Sequence, residues 1–316
     1  MAQLLETKPV SSTVLPVFLA GKYRTQTISV DSSSSSTIQS PPPKPLLIVT
    51  PSDKGTYPVI LFFHGFMLRN IFYTDLLNHI SSHGFILVAP QLYGILPPEG
   101  IRDVESAAQV ANWLQSGLQS VLPENIEPNL KTVVLSGHSR GGQTAFALAL
   151  GYGDPIQKFS ALIGIDPIAG NHFGPITPHI LTNEPKSFDI PFPITVIGTG
   201  LGAESKYFMS PPCAPKKYNH EEFFNESKPP RAHFTAKDYG HMDMLNDDLS
   251  DPVVIMANFM CVKGKGPRDL LRRCIGGIVI AFLNYYFQDN KVDFNTIVKK
   301  PDVAPVELDQ VQFDAS

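Results

Sequence analysis

The stretch from residue 131 to residue 150, KTVVLSGHSRGGQTAFALAL, constrains the fold of this chain more than any other segment. A β-branched apolar run at 133–135 leads into the motif Gly-His-Ser-Arg-Gly at 137–141, and an alanine-rich helical pattern follows directly. G-x-S-x-G between a buried strand and a helix indicates a nucleophile elbow, a turn so tight that only glycine fits on either side of the serine. The alternative is a glycine-rich turn in which Ser139 merely caps the helix.

The elbow motif predicts the α/β-hydrolase fold, with a mostly parallel central sheet and helices on both faces. The rest of the chain agrees, because short apolar runs alternate with segments of helical period. The predicted strands are 22–30, 46–50, 58–63, 85–89, 133–135, 160–165, 194–197 and 231–236. The predicted helices are 72–82, 103–120, the helix after the elbow, and 268–286.

A single α/β-hydrolase domain is predicted over residues 21–290. Residues 1–20 are expected to be a flexible N-terminus and are the candidate for a targeting segment. Residues 291–316 are expected to be a C-terminal tail. The segment 198–230 is rich in Pro, Gly, Phe and Lys and lies between two predicted strands. Long insertions of this kind are often functional, so we expect a pocket wall or lid near the active site. The alternative is a disordered surface excursion.

Composition excludes several classes of protein. Of the 316 residues, 43% are hydrophobic and 17% charged, which is an ordinary globular balance. The net charge of −4 comes without a basic stripe, so nucleic acid is not an expected partner. The apolar run 275–287 is interrupted by Gly276, Gly277 and Asn284 and is predicted to be a core helix rather than a membrane span.

The three cysteines are too few for a disulfide framework. Cys213 and Cys261 form the most plausible pair, and the alternative is that these two and Cys274 are free buried thiols. The histidines and cysteines lack the spacing of metal ligands, so neither a metal nor another cofactor is expected.

A serine nucleophile needs a histidine base and an acid that orients it, in the chain order Ser, acid, His. His241 lies in a loop just past the strand 231–236, whereas His233 lies inside that strand and is expected to pack there. Asp166 ends the strand 160–165 and is the favoured acid, with Glu204 in reserve. Asp243, Asp247 and Asp248 are close to the histidine in sequence and are expected to cap the next turn or to remain solvated. His138 is expected to point down and pack against the sheet.

The oxyanion of an acyl-transfer reaction needs two N–H donors. We expect one from Arg140, directly after the nucleophile, and one from Phe66 in the loop after strand 58–63. The Arg140 side chain is expected either to form a structural salt bridge or to meet a substrate carboxylate or carbonyl. Many large apolar side chains in the predicted loops indicate a pocket for a lipophilic ester; they are Phe66, Met67, Phe72, Tyr73, Tyr93, Phe208, Met209, Phe223, Phe224 and Met242.

With these parts located, the sequence resembles the plant chlorophyllases. The matching segments, which span most of residues 45–250, are the HGF loop, SSHGFILVAPQLY, GHSRGG with TAFALAL, LIGIDPIAG, SPPCAP, NHEEFF and KDYGHMDMLNDD. The resemblance implies hydrolysis of the phytyl ester of chlorophyll to chlorophyllide and phytol. It places the family's triad on Ser139, Asp166 and His241, which decides between Asp166 and Glu204.

The resemblance also sets expectations about substrate and location. Chlorophyll is the expected partner, its magnesium belongs to the substrate, and a peripheral membrane contact fits so lipophilic an ester. The chloroplast is the expected location, with the cytosol or extraplastidic membranes as alternatives. A broad carboxylesterase or lipase is the competing function, and a binding module on a hydrolase fold is the competing class, which the filled triad disfavours.

Overall fold

The computed structural model describes residues 14–32, 40–94, 96–98, 100–208, 210–247 and 250–316. Its strands are β1 Thr25–Val30, β2 Leu46–Pro51, β3 Gly55–Phe63, β4 Ile86–Pro90, β5 Ile126–His138, β6 Ala161–Ile165, β7 Gly170–Asn171, β8 Gly174–Pro175, β9 Ile194–Thr199, β10 Arg231–Ala236 and β11 Leu308–Asp314. Its α-helices are α1 Thr74–Ser81, α2 Arg102–Val121, α3 Arg140–Ala149, α4 His220–Glu226, α5 Pro252–Met260, α6 Arg268–Phe287 and α7 Val292–Lys299. Short 3₁₀ turns lie at Pro16–Phe18, Asn70–Tyr73 and Pro301–Val303.

Nine of these strands form one sheet in the order β1-β2-β4-β3-β5-β6-β9-β10-β11. The six strands from β4 to β10 pair in parallel, and the antiparallel pairs lie toward the two edges. This is the mostly parallel sheet that the alternating sequence pattern predicts. The carboxyl ends of β3, β5, β6, β9 and β10 therefore meet at one edge of the sheet, which is where ligands bind in open α/β folds.

Two apolar layers cover the sheet, one on each face. Helices α1, α6 and α7 pack on one face, where Leu76, Ile278 and Phe282 are fully buried. Helices α2, α3 and α4 pack on the other, where Leu114, Phe146 and Phe223 are buried. Both faces of the central strands are thus removed from water, which explains their continuous apolar sequences.

Helix α6 is the one helix of the described residues that is long and apolar enough to cross a membrane, with a mean hydropathy of 1.3. It is mostly buried inside the protein, as the sequence predicts for a core helix. The helix continues without a break through Gly276 and Gly277. At these two positions His79 and Phe18 pack closely against the helix.

The two ends of the chain differ from their predicted roles. Residues 1–13 lie outside the described residues, but Val17 and Phe18 are buried against α6 and so are not part of a flexible terminus. Residues 291–316 are not a tail, because α7 packs on the core and β11 pairs antiparallel with β10. The turn at 16–18 and the segment 291–316 therefore both belong to the folded domain.

A disulfide links the insertion 198–230 to a later segment of the chain. The insertion contains α4, and Cys213 within it forms the disulfide with Cys261, which directly follows α5. Cys274 is a free, buried thiol. The disulfide joins the insertion to the segment after β10, so both segments close over the same edge of the sheet. Met209 and Asp248 lie outside the described residues.

Candidate active site

Ser139 occupies the turn between β5 and α3 in the geometry that the elbow motif predicts. Its backbone has φ of 57° and ψ of −126°, a conformation that costs free energy for any residue with a side chain. A Cβ at Gly137 would lie 2.2 Å from the carbonyl oxygen of Gly141, and one at Gly141 would lie 2.2 Å from that of Phe63. Both glycines are therefore required by close backbone contacts, and Ser139 does more than cap a helix, since its side chain makes no cap hydrogen bond.

The structure brings Ser139, Asp166 and His241 together, although they are distant in sequence. His241 Nε2 lies 2.9 Å from Ser139 Oγ, and His241 Nδ1 lies 2.7 Å from Asp166 Oδ2. A carboxylate can only accept, so Nδ1 carries the proton and Nε2 accepts from the serine hydroxyl. All three residues are buried, whereas the reserve acid Glu204 is exposed.

Asp166 is held by a neighbour that sequence reasoning missed. Thr199, at the end of β9, donates its hydroxyl to Asp166 Oδ2 at 2.5 Å and its backbone N–H to Oδ1 at 3.2 Å. Burial raises the pKa of Asp166, but the hydrogen bond and charge of His241, together with the hydroxyl of Thr199, outweigh burial and lower this pKa to about 2. Asp166 is therefore ionised at neutral pH.

The loop after β3 lies beside the nucleophile. Gly65 to Leu68 forms a turn with Met67 at φ of 59°, and Phe66 lines the cavity with Arg140. Within the described residues, neither Phe66 N–H nor Arg140 N–H has an acceptor, so both are free to bind a developing oxyanion. His64 braces this loop, since its Nδ1 bonds the Gly65 carbonyl and its Nε2 accepts from Leu92 N–H.

The Arg140 side chain forms the structural salt bridge that was one of its two predicted roles. Its Nε donates to Asp103 Oδ2 at 2.8 Å, and both side chains are buried. Asp103 stands in the first turn of α2, so this ion pair ties α2 to the elbow helix α3. Arg140 also lines the cavity, and its second predicted role, contact with a substrate oxygen, stays a prediction.

A cavity of about 270 Å³ opens directly above Ser139 and His241. Its wall is mostly apolar and comes from the loop after β3, the segment after β6, the insertion and α5; the side chains outside the triad are Phe66, Met67, Leu68, Arg140, Ile168, Asn171, Ile176, Cys213, Met242, Met256, Ala257, Met260 and Cys261. Of the aromatic side chains expected in a lipophilic pocket, Phe66 lines it, whereas Phe72, Phe223 and Phe224 belong to the core. The apolar wall fits a lipophilic ester.

Four other histidines and acids near the site have structural partners. His233 is buried in β10 and lies 2.8 Å from Nδ1 of His220. Asp243 accepts from Gly240 N–H and Gly264 N–H, so it orders the turn that carries His241. Asp247 forms an ion pair with Arg272. Among the described residues, no group of three or more His, Cys, Asp or Glu side chains has the arrangement to hold a metal ion.

Comparison with known proteins identifies the family. The chlorophyllase family model matches residues 13–315. Chlorophyllase-1 from Arabidopsis thaliana is 50% identical over 314 residues, covering 98% of this chain and 96% of its own. Chlorophyllase-1, chloroplastic, from Citrus unshiu is 49% identical over 330 residues, covering 100% and 97% of the two chains. Chlorophyllase-2 from Arabidopsis thaliana is 44% identical over 318 residues, covering 96% and 98%.

The name of the Citrus unshiu relative includes the word chloroplastic, and this supports the predicted chloroplast location. The family match extends over almost the whole chain, including residues 13–20 and 291–315, which the sequence patterns left outside the domain. An α/β-hydrolase sheet, a serine in a nucleophile elbow and full-length similarity to these relatives all agree, and the chain belongs to the chlorophyllase family.

Proposed function

We propose that this protein hydrolyses the phytyl ester of chlorophyll, giving chlorophyllide and phytol. As a member of the chlorophyllase family, it is a carboxylic ester hydrolase. The observation that carries the proposal is the chain of hydrogen bonds from Asp166 through His241 to Ser139, which ends at the floor of an apolar cavity. A serine activated in this way acts on acyl groups, and the apolar wall favours a long-chain alcohol.

In the proposed mechanism Ser139 Oγ attacks the ester carbonyl carbon while His241 Nε2 takes its proton. Asp166 keeps the imidazole in the required tautomer and stabilises the imidazolium that forms. The oxyanion accepts hydrogen bonds from Phe66 N–H and Arg140 N–H. Collapse of the intermediate expels phytol, which leaves with the proton held by His241. Water, deprotonated by the same histidine, then hydrolyses the acyl-enzyme and releases chlorophyllide.

A peripheral membrane contact belongs to the same proposal. The cavity is too small for a whole chlorophyll, so much of the substrate extends out of its mouth. Around that mouth lies an apolar rim, defined by Phe66, Ile255, Met256, Phe259 and Met260, whose exposed fractions range from 46% to 65%. Residues 252–262 contain no charged side chain. Exposed apolar patches of this kind mark protein or membrane contacts, and the rim therefore faces the bilayer that holds the pigment.

One assay tests the substrate and the nucleophile together. Purified protein is incubated with chlorophyll a or with p-nitrophenyl butyrate, and the pigment is then partitioned between hexane and aqueous acetone. Green product in the acetone phase is expected, as is a loss of at least roughly 10³-fold in both activities for Ser139→Ala. Ser136→Ala, which alters another buried serine of β5, is the matched control. Pigment that stays in hexane while the nitrophenyl ester is cleaved would favour the broad carboxylesterase instead.

The membrane contact has its own experiment. Flotation with phosphatidylcholine vesicles is expected to recover the wild-type protein with the lipid, and Ile255→Ser with Phe259→Ser is expected to remove it. Ile156→Ser with Val292→Ser alters two apolar residues that are more exposed than Ile255 and Phe259 and lie outside the apolar rim, and should leave flotation unchanged. Equal flotation of both double variants would show that the apolar rim does not bind lipid.

A further inference from the structure

Two buried side chains outside the triad, Tyr73 and His138, connect the three segments that form the site. Gly65 N–H in the loop after β3 donates to Tyr73 Oη at 3.0 Å. Tyr73 Oη lies 2.8 Å from His138 Nδ1, and His138 Nε2 lies 2.9 Å from the backbone carbonyl oxygen of His241. A continuous series of hydrogen bonds thus runs from the proposed oxyanion loop, past the neighbour of Ser139, to the base.

The chemistry of the partners fixes where each proton lies. The His241 carbonyl oxygen can only accept, so His138 Nε2 carries a hydrogen and donates it. Burial lowers the pKa of His138 to about 3, helped by the nearby charge of His241, so the ring is neutral and its Nδ1 is an acceptor. The Tyr73 hydroxyl therefore donates to Nδ1 and accepts from Gly65 N–H. Every hydrogen bond in this series therefore has one direction.

These hydrogen bonds reach the residues directly before the proposed oxyanion donor Phe66 and the proposed nucleophile Ser139. Gly65 directly precedes Phe66, and His138 directly precedes Ser139 in the strained turn. The rings of His138 and His241 are in contact, with centroids 4.6 Å apart. Tyr73 and His138 are both fully buried, so their hydrogen bonds are not weakened by competing water.

We propose that Tyr73 and His138 are positioning residues, which hold the Phe66 amide, Ser139 and the His241 backbone in register during ester hydrolysis. The inference rests on the proposed function, because it takes His241 as the base and Phe66 N–H as an oxyanion donor. A polar pair that served only to stabilise the core would instead affect folding and leave the turnover of the folded enzyme unchanged.

Tyr73→Phe removes one oxygen atom and keeps the ring. With p-nitrophenyl butyrate, kcat is expected to fall at least tenfold while KM stays within twofold of the wild-type value. Tyr57→Phe is the matched control, since Tyr57 is also buried and its hydroxyl also donates a hydrogen bond, in this case to the Asp53 carbonyl away from the site. Equal kcat values for the two variants, at equal thermal stability, would overturn the proposal.

Two substitutions at His138 probe the other half of the series. His138→Gln keeps an N–H donor near the former Nε2 position, whereas the shorter amide of His138→Asn cannot reach the His241 carbonyl. The Gln variant is expected to retain at least fivefold more kcat than the Asn variant, and its effect should not add to that of Tyr73→Phe. Equal kcat values for Gln and Asn, or full additivity with Tyr73→Phe, would contradict the proposal.

A spectroscopic measurement separates this inference from the proposed function. In ¹⁵N-histidine spectra of the wild-type protein, His138 is expected as the Nε2–H tautomer between pH 5 and 8, and Tyr73→Phe is expected to broaden or shift its Nδ1 signal. An Nδ1–H tautomer would overturn the hydrogen-bond assignment whatever the substrate is. Wild-type activity of Ser139→Ala would instead overturn the proposed function while leaving the tautomer result intact.

Discussion

Thr199 and His241 both donate to the same oxygen of Asp166. The Thr199 hydroxyl lies 2.5 Å and His241 Nδ1 lies 2.7 Å from Oδ2, so the threonine fixes the carboxylate against the imidazole. The hydrogen bond to a charged group contributes about 1.5–3 kcal/mol, which corresponds to roughly 10–100-fold in rate if it is needed to orient the base. Asp166 is thus one member of a three-residue arrangement rather than a simple partner of the histidine.

Thr199→Val is expected to lower kcat by roughly tenfold or more with little change in KM, because the valine keeps the shape of the side chain and removes its donor. Steady-state kinetics with a soluble nitrophenyl ester would measure this. Thr199→Ser keeps the hydroxyl and should stay within about threefold of the wild-type kcat. If valine and serine behave alike, the hydroxyl has no part in orienting Asp166.

The close approach of Ser139, Asp166 and His241 could be predicted because each follows the end of a parallel strand, and strand ends are visible in the sequence. Thr199 was missed, although a signal was present: β9 ends in a glycine-rich stretch where an acid often stands, and a threonine occupies that place. Tyr73 and Asp103 gave no such signal, because their roles depend on side-chain directions set by packing between distant elements. Their contacts become visible only in three dimensions.

The C-terminal strand was missed for a different reason. β11 is an edge strand whose residues are mostly half-buried or exposed, so its sequence LDQVQFD lacks a clear apolar face. The helix α5 was missed because its sequence is apolar on all sides, which periodicity cannot assign. Weak patterns of this kind coincide with the parts of the fold that border solvent or the cavity mouth.

The buried ion pair of Arg140 and Asp103 should be costly to break. Asp103→Ala is expected to destabilise the protein by about 3–5 kcal/mol, because it leaves the arginine charge buried without a partner. Urea unfolding would measure this loss. Replacing both residues, with Asp103→Leu and Arg140→Met, should restore part of the free energy of unfolding. A double variant less stable than Asp103→Ala would contradict the ion-pair explanation.

The disulfide between Cys213 and Cys261 closes a loop whose ends are 48 residues apart, and both cysteines line the cavity. Cys213→Ser with Cys261→Ser is expected to lower the free energy of unfolding by about 2–4 kcal/mol and to raise KM for long-chain esters, because α5 loses its covalent link. Dithiothreitol should reproduce these effects in the wild-type protein and in Cys274→Ala, but not in the double variant. A reductant effect that persists in the double variant would refute this explanation.

The stability of the protein should fall on mild acidification because of neutral histidines that are wholly or partly buried. Burial lowers the pKa of His79 to about 4, from an unfolded value of 6.5. Below pH 6.5 the unfolded chain therefore binds a proton that the folded protein refuses, and stability is lost progressively as the pH falls toward 4. The lowered pKa of His79 alone corresponds to a loss of on the order of 3 kcal/mol in the free energy of unfolding once the pH is below both pKa values.

His79→Gln tests this contribution, since the amide can still donate to the Val17 carbonyl that His79 bonds. Urea unfolding at pH 7.5, 6, 5 and 4.5 is expected to give a shallower loss of stability for the variant than for the wild type. His172→Gln changes an exposed histidine and should leave the slope unchanged. Parallel pH curves for wild type and His79→Gln would exclude the residue as a source of acid sensitivity.

The buried turn at Pro16–Phe18 limits how the protein can be trimmed. His79, Arg273 and His83 bond the backbone carbonyls of Val17, Phe18 and Leu19, and Phe18 fills the space over Gly277 of α6. A peptidase that removes a targeting segment must therefore leave this turn in place. A cut beyond Phe18 would uncover α6, so the fold itself sets the latest point at which a leader can end.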